Sequence, residues 1–173
     1  VTIVGVINAD TSLHLPDFRA GERTFQLISQ VAGRAGRGKV EGRVIVQTCT
    51  PEHYAILAVA GHDYKAFYEQ EIRYRRQYDY PPFSRLARLL YIDPNPSRCQ
   101  REAERVYELL ESERDSRGMV GISLIGPAPA FIGRVRGRYR WQIVLKSPDP
   151  SQLLANLPLP KGWAIDIDPA SLL

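Results

Sequence analysis

At 173 residues the chain can bury one good core or two small ones. No apolar run approaches membrane-spanning length, and Cys49 and Cys99 stand far apart without CxxC spacing, which suits reduced cysteines of a cytoplasmic protein better than a disulfide or a metal site. The net charge of +4 is mild but uneven: thirteen Lys/Arg face ten Asp/Glu over residues 80–173, against ten and nine over 1–79, so acidic partners are sought in the second half.

Residues 1–8 read as a strand apolar enough for a central parallel position, with no initiator methionine and no targeting sequence, so the chain is expected to begin inside a domain. A loop over 9–21 follows. Residues 22–35 place Phe25, Ile28, Val31 and Ala32 near helical spacing and run into glycines, and 43–48 form a second β-branched strand. Strand, helix, strand is the unit of an open α/β sheet, whose ligands lie beyond the strand C-termini, on the side of the 9–21 loop. Residues 51–61 predict a short helix and 62–77 a longer amphipathic one with Tyr64, Phe67, Tyr68, Ile72 and either Tyr74 or Arg75 as contacts. On it Arg73, Arg75 and Arg76 read as a solvated face, since Glu69 and Glu71 offset their charge. The run YDYPP at 78–82 then breaks the pattern, dividing the chain into 1–79 and 80–173.

The second half predicts a strand at 85–93, a helix at 97–114 with Cys99, Ala103, Val106, Tyr107 and Leu110 inward, and a short strand at 122–125. A strand at 138–146 carries Tyr139, Trp141, Ile143 and Leu145 on one face. A short helix at 150–156 and a strand at 163–167 complete a βαββαβ order, the split βαβ arrangement.

Two stretches carry chemistry. QVAGRAGR at 30–37 sets Arg34 and Arg37 three apart in a small-residue frame, a spacing that can aim two guanidiniums at one polyphosphate; it also suits an arginine-rich helix end capped by glycine. The connection 126–141 alternates Arg134, Arg136, Arg138 and Arg140 with glycine, valine and tyrosine. In a hairpin the four guanidiniums would project together toward a phosphate backbone, with Tyr139 and Trp141 facing the core; the same run also suits a solvated hairpin arm. His14, His53 and His62 lack partner spacing, Asp166 and Asp168 read as ordinary strand carboxylates before a cation site, and no nucleophilic triad can be assembled. No GxxxxGK[ST] phosphate loop and no DExH box is present.

The pattern QxxGRxGR resembles the last conserved motif of superfamily 2 helicases and translocases. Together with PDFRAGER at 16–23, Gln47-Thr48, Pro51-Glu52-His53 and YPPF at 80–83, it makes nearly the whole chain resemble the C-terminal third of the primosomal protein N′ (PriA) family, bacterial DNA helicases that restart stalled replication. The resemblance implies an α/β fold: the end of a RecA-like helicase lobe 2 over 1–79, then an α+β βαββαβ DNA-contacting domain over 80–173. It implies that Arg34 and Arg37 approach the γ-phosphate, Arg37 as the finger, that Gln30 and Gly33 shape that surface, and that Asp10, Asp17 and Arg19 relay nucleotide state. Arg134, Arg136, Arg138 and Arg140 are then the candidate DNA contacts. Family members use ATP, magnesium and structural zinc, whose ligands this chain lacks, and travel 3′ to 5′ on DNA. Implied partners are forked or single-stranded DNA, single-stranded-DNA-binding protein and primosome proteins, for a monomer in the bacterial cytoplasm at the nucleoid. Without the phosphate loop and acidic box the chain is expected to hydrolyse no ATP alone. A non-enzymatic nucleic-acid-binding module, or another superfamily 2 repair or recombination helicase, would share these features, and GxxxxGKT, DExH and paired CxxC motifs upstream would separate them.

Overall fold

Two β-branched runs pair in parallel, β1 (Ile3–Val6) with β2 (Arg43–Val46), in a register that sets Val4 opposite Val44 and Val6 opposite Val46. Parallel neighbours require a crossover, which α1 (Asp10–Leu13) and α2 (Ala20–Ala35) supply, and α3 (Tyr54–Ala60) and α4 (Tyr64–Gln77) follow. Phe25 and Ile28 of α2 bury against Ala55, Ile56 and Val59 of α3 and Phe67 of α4, with Val6 and Val46 packed on the cluster. The Phe25 and Phe67 rings stack with centroids 4.2 Å apart. Helix α3 starts where the His53 ring nitrogen Nδ1 accepts the Ala55 amide at 3.2 Å, satisfying a first-turn donor.

In this computed structural model residues 3–35, 42–155 and 157–173 are described, and the chain divides into two compact units, Val1–Arg76 and Gln77–Leu173. The second unit runs β3 (Arg85–Asp93), α5 (Pro96–Ser116), β4 (Ser123–Val135), β5 (Arg138–Ser147), α6 (Ser151–Leu154) and β6 (Trp163–Ile167). Its strands form one antiparallel sheet in the order β4-β5-β3-β6. Helix α5 opens on Asn95, whose side chain accepts the Arg98 amide at 3.0 Å, with Pro96 pre-set for the first turn. One face of the sheet, with Ala87, Leu89, Ile143 and Leu145, buries against Val106 and Leu110 of α5 and Leu153 of α6. The YDYPP run packs within this unit: Lys146 Nζ donates to the Tyr78 carbonyl at 2.8 Å and lies 4.9 Å from the Tyr80 ring centroid.

The mixed α/β architecture and the βαββαβ order are those expected from the sequence, and most elements differ from expectation only at their ends. Two expectations are corrected. The 9–21 loop contains the short helix α1, closed by amides of Leu13 and His14 bonding back to Ala9 and Asp10 carbonyls. The strand expected at 122–125 instead continues to Val135, so the 126–141 connection is mostly a long β4–β5 hairpin. No helix among the described residues is long and apolar enough to cross a membrane.

Both tryptophans, Trp141 and Trp163, lie in the second unit, so their fluorescence follows its unfolding alone. Leu145→Ala, at a side chain with no exposed surface, should cost about 2–5 kcal/mol in urea denaturation followed at tryptophan. Val120→Ala, 96% exposed, should stay within about 0.5 kcal/mol.

Candidate functional site

The segment leading into α2 is tied down by its own charges. Asp17, buried, accepts the Arg19 amide at 2.8 Å in an Asx turn, and Arg23 Nη1 lies 3.4 Å from its other oxygen. Arg19 forks onto Glu22, with Nε–Oε2 and Nη2–Oε1 both at 3.1 Å, the planar bidentate geometry open to guanidinium. Glu22 Oε2 also accepts Arg75 Nη2 at 2.8 Å; Arg75 Nε donates to Glu71 Oε1 at 2.7 Å, and Tyr54 OH to Glu71 Oε2 at 2.6 Å. The chain of contacts clasps the first turn of α2 to α3 and α4. The Arg19 hydrogen bonds, reinforced by Arg75 and opposed by burial, hold the Glu22 carboxyl at about 2. Burial, followed by the Glu71 carboxylate, pushes the Tyr54 phenol upward.

Asp10 closes a second set of contacts. Its carboxylate accepts the Cys49 amide at 2.9 Å and the Thr48 and Thr50 hydroxyls at 2.9 and 3.0 Å, and the amide bond is the largest cause of its lowered pKa. Asp10, Asp17 and Arg19 thus all hold partners within the fold. Gln30, Gly33 and Arg34 instead lie on one exposed stripe of α2 at positions i, i+3 and i+4. A Cβ placed at Gly33 would meet nothing within 4 Å, and Arg34 has no carboxylate partner among the described residues. Arg37 lies outside the described residues.

The second candidate surface is the β4–β5 hairpin. Its turn is Arg136-Gly137, both with positive φ (49° and 79°), the backbone that two-residue hairpins prefer and that glycine adopts without strain. Arg134 pairs with Tyr139 and Val135 with Arg138 across the ladder. Facing residues share a face and successive ones alternate. The Arg134 guanidinium therefore lies over the Tyr139 ring, 5.1 Å from its centroid, while Arg138 and Arg140 take the other face. There Arg136, Arg138 and Arg140 line a groove of about 460 Å³ with Ile92 and Val135. The expectation that all four guanidiniums project together is corrected: the period of two sends Arg134 to the aromatic face. Among the described residues none of the four is paired with a carboxylate, whereas Arg19, Arg75, Arg85, Arg105 and Arg117 all are.

Sequence reasoning missed the Glu22–Arg75–Glu71–Tyr54 clasp: it offered Arg75 both as a contact of the helix and as part of a solvated face, and the structure makes it a contact. The Glu71–Arg75 spacing of i, i+4 was a visible signal, but Glu22 is 53 residues from Arg75. Asp168, weighed as a cation ligand, is taken by Arg85 at 2.6 Å. No group of three or more metal-ligating side chains occurs among the described residues.

The fold and these surfaces define a two-unit α/β protein whose second unit is a split βαβ domain with an arginine-bearing hairpin. Residues 76–170 match the family described as the primosomal protein N C-terminal domain, and the chain belongs to that family. Its relatives include the replication restart protein PriA of Bacillus subtilis, 42% identical over 157 residues that cover 91% of this chain and 19% of that protein. The PriA of Synechocystis is 38% identical over 179 residues (99% and 21%), and that of Treponema pallidum 37% over 180 (99% and 27%). The chain spans about a fifth to a quarter of the length of these relatives.

Because the folded Glu22 pKa lies below the ordinary carboxylate value, its ion pairs stabilise the first unit fully above pH 4.5 and lose that effect as pH falls toward 2. Glu22→Gln should therefore lower the urea midpoint of the first unit, followed by circular dichroism, at pH 7, with the gap from wild type closing between pH 4.5 and 2. A gap constant across that range would contradict the assignment.

Proposed function

We propose that this chain is the C-terminal part of an ATP-dependent 3′ to 5′ DNA helicase of replication restart, one that recognises stalled or branched forks and initiates primosome assembly. Its hairpin holds nucleic-acid phosphates. The single observation that carries this reading is the gathering of four arginines on one hairpin, none of them with a carboxylate partner among the described residues. Permanently charged, bidentate donors with no carboxylate partner among the described residues suit phosphate oxygens, and no base-reading framework accompanies them. Single-stranded-DNA-binding protein and primosome proteins are the further partners of this reading, with the bacterial cytoplasm and nucleoid as its location and a monomer as its state.

The exposed stripe of α2 suits a polyphosphate, since Gly33 leaves room for close approach and Arg34 has no carboxylate partner among the described residues. Bound ATP and magnesium would supply the phosphoanhydride bond and its shielding cation. Arg34 and Arg37 bind oxygens of the γ-phosphate, with Arg37 stabilising the charge that spreads over it, and Gln30 borders the same surface. Asp10, Asp17 and Arg19 act through the backbone they brace. Structural zinc belongs, on this reading, to cysteines outside this sequence.

In the full-length protein Arg37→Ala should cut DNA-stimulated ATP turnover by about a thousandfold or more while nucleotide binding persists. Near-normal turnover would remove Arg37 from the finger role. For the hairpin, fluorescence anisotropy of the 173-residue chain on single-stranded DNA should show affinity falling with salt. Replacing Arg134, Arg136 and Arg138 together by alanine should flatten the log–log slope by about two units, since each lost contact to a single strand is worth about 0.7. A folded triple variant with the wild-type slope would refute phosphate contact there.

A further inference from the structure

Between the ladder pairs Pro129–Trp141 and Arg134–Tyr139, β4 passes through Ala130, Phe131, Ile132 and Gly133 where β5 has only Arg140. Extra residues on one strand bend it out of the ladder and re-aim its side chains. Ala130 turns inward, 3% exposed, while Phe131 and Ile132 turn outward at 53% and 52%. Arg140 Nη1 donates to the Ile132 carbonyl at 3.3 Å and ties the bulge to the neighbouring strand. Three other aromatics of this sheet have ring or cation neighbours, Tyr91 with Trp163 at 5.4 Å and Tyr139 under Arg134, and Trp141 is half-buried on the core side. Phe131 has no ring partner among the described residues.

An outward phenylalanine contributes nothing to this core, and its place on the same hairpin, three residues before Arg134 and beside the carbonyl that Arg140 holds, brings two complementarities to one arm. Arginines suit phosphates; a flat apolar ring suits another flat apolar ring. Duplex DNA offers phosphates but keeps its base faces stacked internally, and an acidic peptide offers charge with few flat faces. A single strand presents both at once. We infer that Phe131 is a stacking platform for an unpaired base of a single-stranded nucleic acid whose phosphates lie on the hairpin arginines. The inference rests on the phosphate-binding reading above and adds to it the base contact and the residue that makes it. Arg140 is then a positioning residue for the bulge.

The test compares two fluorescent strands of equal length and charge, oligothymidine and a wholly abasic oligomer, on the 173-residue chain at fixed salt. Phe131→Ala should weaken oligothymidine binding about tenfold and leave the abasic strand unchanged. Phe131→Leu, which keeps apolar bulk without the ring face, should behave like alanine, and Phe131→Trp should bind at least as tightly as wild type. Circular dichroism confirms folding of each variant. Equal loss on both strands would overturn the proposal by making Phe131 a support for the arginines, and no loss on either would remove it from the surface. Weakened binding of a poly-glutamate peptide with oligothymidine unaffected would overturn it in favour of a protein partner. Failure of the phosphate reading appears separately, as an unchanged salt slope in the triple arginine variant.

Discussion

Strand β5 is hydrogen-bonded along both edges, to β3 from Tyr139 to Ser147 and to β4 from Arg138 to Lys146, and that double ladder places both the core and the candidate surface of the second unit. Toward its C-terminal end, Ile143 and Leu145 have no exposed surface and sit under α5. Toward its start, the same alternation carries Arg138 and Arg140 to the opposite face. A residue shift in register would exchange the two sets, exposing leucine and burying guanidinium, which is why core packing fixes the register of the arginines as well. The hairpin arms are thus held by a sheet whose stability comes from burial several residues away.

The first unit depends on a different constraint, the sharing of Glu22 and Glu71 between two arginines and a tyrosine. Half-buried ion pairs offset their desolvation only when geometry is good and the remaining lone pairs are satisfied. Here Glu22 accepts Arg19, Arg75 and Gln26, and Glu71 accepts Arg75 and Tyr54. The consequence is directional: contacts between helices α2, α3 and α4 are specified by charge as well as by the Phe25–Phe67 stack. It also separates the charged residues near α2 into two kinds. Those at its start serve the fold, whereas Arg34 on its exposed last turn has no carboxylate partner among the described residues.

Much of this was legible because period-two and period-3.6 patterns were strong where burial is one-sided. The last strand, Trp163–Ile167, and the inward set Cys99, Ala103, Val106 and Leu110 of α5 follow directly from alternation and helical spacing. Strand β4 was not legible past Ile125, because Gly126, Pro127 and Pro129 argue against a strand interior. They are tolerated because β4 is an edge of the sheet, where half the backbone amides need no ladder partner, and because Gly126 adopts φ +109° at a register shift. The bulge at Ala130–Gly133 escaped for the same reason: nothing local distinguishes an extra loop from a strand that leaves its ladder and returns. The burial of Glu71 could not be read at all without Tyr54 and Glu22, which reach it and its partner only in three dimensions.

The hairpin poses an electrostatic problem, since it gathers four arginines without a carboxylate partner among the described residues. Residues two apart on a strand face lie roughly 7 Å from one another, so a pair such as Arg138 and Arg140 repels by about 0.6 kcal/mol in water before salt screening. Arg105 and Arg117, by contrast, are neutralised within reach by Glu102 and Glu113. Here no carboxylate intervenes, Arg134 is drawn onto the Tyr139 ring and Arg140 onto a backbone carbonyl, and neither contact removes the charge. The repulsion is small against the burial that anchors β5, so the sheet sustains it at little cost. What remains is a positive potential that any polyanion fitting the groove would relieve, which makes the absence of local carboxylates a property suited to a surface rather than to a fold.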